Sequence, residues 1–363
     1  MPLETGEFSP STSADEGSQR CGRFIATPRG RRHPLPLFLP VCQLNAPFVP
    51  MDVLRDVHRV DGGILNAYFL YKQRALRDQF DAGLTLREYA GLGDGLLVTD
   101  SGAFQGFVRK LFLDNQTIVA FQERIGTDVS SPLDLVTPPG DKRSVAEDKL
   151  VATNKRIREA LPLVENSLLA GVQQGGRFLD LRRRSTEELA AMGVKYLAIG
   201  SLVPFFNRNH DLAFVGEVLR DARAIVGPDV PMHVYGAGDP VEIPFFVALG
   251  ADIFDSSSFG HYARKRAYMT PYGAIDRAAV LAAGEFRCTC RICEKVNDWD
   301  ALFGDEPRLA EHNLWTICET IRSVRAALAE DRLDAMLAEI VERHTAWFPD
   351  SALGTTWESL HDG

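Results

Sequence analysis

Three thiols fall within six residues of this 363-residue chain, as Cys288-Thr-Cys290-Arg-Ile-Cys293, and His312 follows them. Three sulfurs and an imidazole are the four donors a closed tetrahedral zinc site takes. A disulfide framework suits the same residues poorly, because three thiols so close leave one unpaired and strain any bridge between the others. Reactive or incidental thiols are the remaining reading. His312 also has a second reading: it stands in Leu-Ala-Glu-His-Asn-Leu-Trp, at the start of a helical periodicity, where an imidazole could cap or pack. A cysteine cluster one ligand short favours ligation. With every position filled by protein, one Zn2+ per chain would hold structure and not activate water, so the chemistry must come from elsewhere.

Asp100, Asp134 and Asp255 are the candidates. Asp100 and Asp255 each follow an apolar run and precede small residues, and Asp134 stands in Ser-Pro-Leu-Asp-Leu-Val-Thr-Pro-Pro. An Asp in such a setting also commonly closes an Asx-turn or caps a helix. Two carboxylates facing one anomeric carbon could perform retaining glycosyl chemistry, one as nucleophile and the other as acid and base.

Groups so far apart in sequence need a frame that brings them together. Short aliphatic runs alternate with amphipathic segments, the pattern of parallel strands joined by helices. The runs read as strands are 37–41, 63–66, 96–99, 168–172, 196–199, 233–235 and 252–254; helical spacing is clearest over 145–164, 211–225, 241–249 and 308–344. Nearly every run ends in a polar or small group: Asn66, Asp100-Ser-Gly, Gln173-Gln-Gly-Gly, Gly200-Ser-Leu, Gly236-Ala-Gly, Asp255-Ser-Ser. A (β/α)8 barrel gathers strand C-termini at one mouth, whereas an open doubly wound sheet uses only those at a switch point, so an α/β fold of the TIM-barrel kind is expected. Gly175-Gly176 and Gly236-Ala-Gly238 fit neither dinucleotide nor P-loop spacing and read as tight turns that let a planar ligand approach the backbone. The chain divides into a disordered tail (1–20), the barrel (21–285), a C-terminal zinc-binding subdomain with closing helices (286–350) and a second tail (351–363).

Composition narrows the class. A 45% hydrophobic content supports a large core, and the polar first twenty residues and the want of long apolar runs point to a cytoplasmic protein that does not enter membranes. Six cysteines without a framework fit a reducing compartment. A net charge of -9 weighs against indiscriminate electrostatic attraction to nucleic acid. Three basic clusters stand out locally: Arg29, Arg31 and Arg32; Arg182 to Arg184; and Arg264, Lys265 and Arg266. Taken singly each reads as a solvated face.

Asp100-Ser-Gly-Ala-Phe-Gln, Val172-Gln-Gln-Gly-Gly, Phe254-Asp-Ser-Ser-Ser-Phe and the Cys-x-Cys-x2-Cys with its histidine occur in the order found in the tRNA-guanine transglycosylase family, which the chain resembles over about residues 23–330. His233-Val-Tyr-Gly-Ala-Gly is more similar to the archaeal branch. The resemblance implies a zinc-bearing TIM barrel that exchanges guanine in tRNA for a free 7-deazaguanine base of the preQ0, preQ1 or queuine type. It makes Asp255 the nucleophile that forms a covalent glycosyl intermediate, and Asp100 the acid/base. Asp134 would read the guanine-like edge, Gln174 and Gly200 its carbonyl, and Phe104 and Tyr235 would sandwich the ring. Ser201 and Gly236 complete the pocket. The cluster at Arg264, Lys265 and Arg266 lies closest after Asp255 and is ranked first for phosphate contact.

The chain departs from the family pattern at Gly102-Ala103 and at Gly200-Ser201-Leu202, where Gly-Gly is usual, and either side chain could narrow or turn the pocket. Archaeal full-length enzymes carry further C-terminal RNA-binding domains, for which this chain leaves no room, so the same exchange on DNA is an alternative. A non-catalytic partner subunit is a second, opposed by the presence of both Asp100 and Asp255. A homodimer is left open.

Overall fold

Parallel strands carry the polar motifs, and their pairings run around a ring. The computed structural model describes residues 22–43, 45–103, 113–206, 212–283 and 288–361. Within it the ring is β1 (Leu37–Pro40), β2 (Gly62–Asn66), β3 (Leu96–Asp100), β4 (Val129–Ser130), β5 (Leu168–Leu169, resuming after Ala170 as Gly171–Gln173), β6 (Leu197–Ile199), β7 (Met232–Val234) and β8 (Ile253–Ser256). The two parts of β5 join the halves, the first pairing with β4 and the second with β6. On the other side β8 pairs with β1, and β1 reaches β2 through a parallel bridge between Val41 and Ile64. This is the expected (β/α)8 architecture. Strands buried on both faces read as continuous apolar runs, which is why all of them except β4 were visible in sequence.

Helices return the chain between strands, among them Asn115–Ile125, Arg143–Ala160, Leu179–Ala191, Ala213–Val226 and Glu242–Ala248. At the end of the barrel opposite the motifs, a hairpin of Phe24–Ala26 and Arg32–Pro34 is tied down by ion pairs from Arg23 to Asp252 and from Arg31 to Asp128. A small antiparallel pair, Tyr268–Thr270 with Gly273–Ile275, follows β8 and leads to the cysteines.

Three expectations need correction. Strand β4 was not foreseen, because Thr127-Asp128-Val129-Ser130-Ser131 holds one aliphatic residue; its polar groups are buried and paired instead, Thr127 Oγ1 with Thr99 Oγ1 at 3.1 Å and Ser131 N with Gln122 Oε1 at 2.8 Å. The long helical segment over 308–344 is two helices, Glu306–Ala329 and Leu333–Trp347, broken where Asp331 takes a left-handed φ of 51°. The segment read as a C-terminal tail contains a helix, Leu353–His361, whose Leu360 packs over Gly216, where an added Cβ would lie 2.7 Å from it. Among the described residues no helix is long and apolar enough to cross a membrane.

Candidate active site

The C-terminal ends of the strands open on a cavity of about 1240 Å³ lined by Asp100, Asp134, Gly200, Ser201, Tyr235, Gly236 and Asp255. Residues from five separate strand ends therefore meet as the motif pattern predicts. Gln174 is wholly buried and is not among the lining residues; it stands behind Asp134, to which its Nε2 donates, and Phe104 lies outside the described residues.

The register of β2 and β3 sets Asn66 opposite Asp100. Asn66 Nδ2 donates to Asp100 Oδ2 at 2.9 Å while its own Oδ1 caps the next helix at Phe69 N, and Gly102 N donates to Asp100 Oδ1 at 3.1 Å. Desolvation in the cavity floor outweighs these bonds, and with the neighbouring Asp255 charge it pushes the Asp100 carboxyl up to about 6. Asp134 is raised to about 7, first by desolvation and then by the Asp100 charge, with the bond from Gln174 Nε2 at 2.7 Å opposing. Asp255 differs: it lies within β8, and its Oδ1 accepts Gly236 N–H at 3.1 Å and sits 2.8 Å from His233 Nε2. Carboxyls in unlike environments are the arrangement that separates proton-carrying from charged roles.

The pocket wall is a connected network. Ser201 Oγ accepts Thr137 N–H at 2.9 Å and donates to Gln174 Oε1 at 2.9 Å. Behind it Arg182, fully buried, donates to Gly176 O (2.7 Å), Gln173 Oε1 (2.9 Å), Gly200 O (3.1 Å) and Ser201 O (3.4 Å). The Tyr235 hydroxyl meets Ser131 Oγ at 3.1 Å, which leaves its ring along the cavity.

Cys288, Cys290, Cys293 and His312 converge, their ligand atoms all within 4.8 Å of one another. The donor set fits a tetrahedral soft-metal site. His312 Nε2 lies 2.9 Å from the Met269 carbonyl, which holds a proton on Nε2 and turns Nδ1 toward the three sulfurs at 3.4–3.5 Å. Backbone N–H groups of Cys290 and Cys293 point at Cys288 Sγ and Cys290 Sγ (3.4 and 3.3 Å), an arrangement that favours thiolates, and Tyr268 stacks on the imidazole at 3.7 Å. The cluster could hold a metal ion, and it stands outside the cavity.

The basic clusters separate. Arg182 is interior, while Arg183 pairs with Asp221 and Arg184 with Glu147 and Glu188 on the surface. Arg264, Lys265 and Arg266 are exposed at the end of helix Ser258–Arg264; Arg264 pairs with Glu306 at 3.0 Å and covers the Phe48 ring. Sequence reasoning assigned no role to Asn66, Arg182, His233 or Tyr196, although Asn66 carried the same strand-end signal as Asp100.

Three carboxyls at the mouth of a (β/α)8 barrel, with a Cys3His cluster outside it, place the chain in the class of barrels that gather polar groups at their strand ends. The profile of the family described as Queuine tRNA-ribosyltransferase matches residues 15–346, and the chain belongs to that family. It is 36% identical over 338 residues to a Methanopyrus kandleri protein named tRNA-guanine(15) transglycosylase, covering 90% of this chain and 71% of that one. Proteins of the same name from Methanocaldococcus jannaschii and Pyrococcus abyssi are each 32% identical, over 87% and 91% of this chain. The chain spans 49% and 56% of those two relatives' lengths. The archaeal-type resemblance read from the motifs is thus borne out.

Proposed function

We propose that this chain exchanges guanine for a 7-deazaguanine base in tRNA by double displacement. The observation that supports this most is the unlike surroundings of the two carboxyls at one cavity: Asp255 accepts Gly236 N–H on one oxygen, and Asp100 is desolvated with its pKa raised to about 6. Asp255 attacks C1′ of a flipped guanosine, the C1′–N9 bond breaks, and Asp100 delivers a proton to the departing base. The incoming base then gives its N9 proton to the Asp100 carboxylate, its nitrogen attacks C1′, and the C1′–oxygen bond to Asp255 breaks. Two inversions leave the configuration retained. Asp134, Gln174 and Gly200 read the edge of the base, Ser201 and Gly236 shape the wall, and Tyr235 stacks on the ring, so the cost of flipping is met by contacts in the pocket.

Cys288, Cys290, Cys293 and His312 would hold one Zn2+, which when bound stabilises structure and supplies no step of the exchange. The exposed Arg264, Lys265 and Arg266 would meet phosphates near the mouth, with Arg264 shared by Glu306. The relatives' name favours tRNA over DNA as the polymer.

The test supplies labelled guanine and candidate 7-deazaguanines with tRNA or duplex DNA. Label is expected in tRNA and absent with Asp255→Ala. Label in DNA alone, or in neither polymer, overturns the reading.

A further inference from the structure

His233 is fully buried inside the barrel wall, yet both of its ring nitrogens face polar atoms. Nδ1 is 2.7 Å from the hydroxyl of Tyr196, the residue before β6, and Nε2 is 2.8 Å from Asp255 Oδ1 on the other side. The ring stands edge-on to Tyr196 and to Tyr235, with centroids 5.9 and 4.7 Å away, so it has little freedom to turn.

The direction of the chain follows from the phenol. Tyr196 is wholly buried, and burial raises its pKa well above the ordinary value, so its proton stays on. A buried O–H needs an acceptor, and Nδ1 is the acceptor in reach. An imidazole that accepts at Nδ1 carries its proton on Nε2, facing Asp255. The N–H axis is oblique to Oδ1, so the two align only when the carboxylate turns slightly, an adjustment common as catalytic contacts tighten around substrate. Gly236 N–H reaches the same oxygen at 3.1 Å, whereas Asp255 Oδ2 has no protein donor among the described residues.

We infer that His233, held by Tyr196 in the Nε2–H form, is a positioning residue that assigns the two oxygens of Asp255 different work. This rests on Asp255 being the nucleophile. Oδ2 is the oxygen that bonds to C1′ as the C1′–N9 pair departs with the base. Oδ1 then becomes the carbonyl oxygen of the glycosyl ester, still facing the His233 and Gly236 N–H groups. When the second base displaces the ester, the C1′–Oδ2 electron pair returns to the carboxylate and its charge is shared with Oδ1, where the two donors meet it. The work of His233 is therefore done through its N–H at Oδ1 and falls on the second displacement, where the charge returns.

The variants His233→Gln, His233→Phe and Tyr196→Phe, beside Asp255→Ala, test this through kcat, the KM for free base and the lifetime of the covalent polymer adduct. His233→Phe should lower kcat roughly a hundredfold, the scale of losing one preorganised donor, with KM for the base little changed and the adduct longer-lived. His233→Gln should recover most of the rate, since its carbonyl can accept the Tyr196 proton and its amide can donate to Asp255. Tyr196→Phe, which removes one oxygen, should fall between and remains informative if His233→Phe does not fold. Unchanged kcat in Tyr196→Phe, or folded His233→Gln no better than His233→Phe, overturns the inference while leaving Asp255 in place. Activity in Asp255→Ala instead overturns the underlying reading.

Discussion

Ser201 Oγ donates to Gln174 Oε1 across 2.9 Å while accepting Thr137 N–H, and this fixes the sense of every hydrogen bond from the backbone to Asp134. An amide N–H can only donate, so the serine proton must go to the Gln174 carbonyl, which turns the Gln174 NH2 onto Asp134 Oδ2 at 2.7 Å. Ser201 holds this place at a left-handed φ of 58°, where glycine would sit without cost and a side chain costs about 1 kcal/mol. The departure from Gly-Gly thus turns the extra side chain into the wall.

Replacing Ser201 separates the hydroxyl from the backbone strain. Ser201→Ala keeps the strain and loses the bond, and Ser201→Gly loses both. Each should weaken binding of free base about fivefold, the value of one hydrogen bond near 1 kcal/mol, and only Ser201→Ala should also lower Tm. Calorimetric titration and thermal melts check it; full affinity in Ser201→Ala would leave the hydroxyl without a part in orienting Gln174.

Asp134, raised to about 7 by desolvation and by the Asp100 charge, is only partly ionised near neutral pH. A guanine-type edge offers two N–H donors, which favour the carboxylate and pull that pKa down on binding. Protons should therefore be released, and affinity should rise as pH climbs from about 6 to 8 and level off above. Titrations in two buffers of different ionisation enthalpy count the protons. Asp134→Asn should bind weakly and lose the pH slope; affinity that falls over the same range would exclude the carboxylate as acceptor.

Three adjacent arginines show what sequence carries and what it does not. Arg182 falls on the buried face of its helix with Leu181, Ser185, Thr186 and Leu189, while Arg183 and Arg184 turn outward, so helical periodicity could have singled it out. The cysteines and the three aspartates were legible because ligand chemistry and strand ends leave local marks. His233 left none: within His-Val-Tyr nothing tells which side chain faces Asp255, and its partners lie 37 and 22 residues away in a register only the folded barrel sets. Strand β4 was hidden for a related reason, since its buried hydroxyls are satisfied by partners from distant segments.

Arg182 ties the turns after β5 and β6 together, and Gly175 admits it, since a Cβ there would lie 2.7 Å from Arg182 N. Burial lowers its pKa to about 9, so it remains charged at neutral pH. Arg182→Met would leave four acceptors, three of them buried, without their donor and should cost roughly 2–4 kcal/mol, with weaker base binding. Arg183→Ala removes an exposed pair with Asp221 and should change stability by less than about 1 kcal/mol. Denaturant unfolding of the two variants distinguishes an interior anchor from a surface charge.

The metal cluster should act on stability and not on the bond-making step. His312 belongs to the helix Glu306–Ala329, and its imidazole bonds to Met269 in the small sheet after β8, so the four ligands join the cysteine loop to two barrel-flanking elements. Without a metal, three thiols packed around one imidazole have no charge to balance their deprotonation, and the loop loses its fastening. Elemental analysis should find one Zn2+ per chain in the wild type and less than half of that in Cys290→Ala. Chelation should raise amide exchange through residues 288–347 first, while the barrel strands stay protected. Exchange activity should fall chiefly through a higher KM for tRNA, with the KM for free base little altered, because the cavity and Asp255 lie apart from the cluster. A chelated protein with unchanged melting and protection would show that the four residues hold together without the ion.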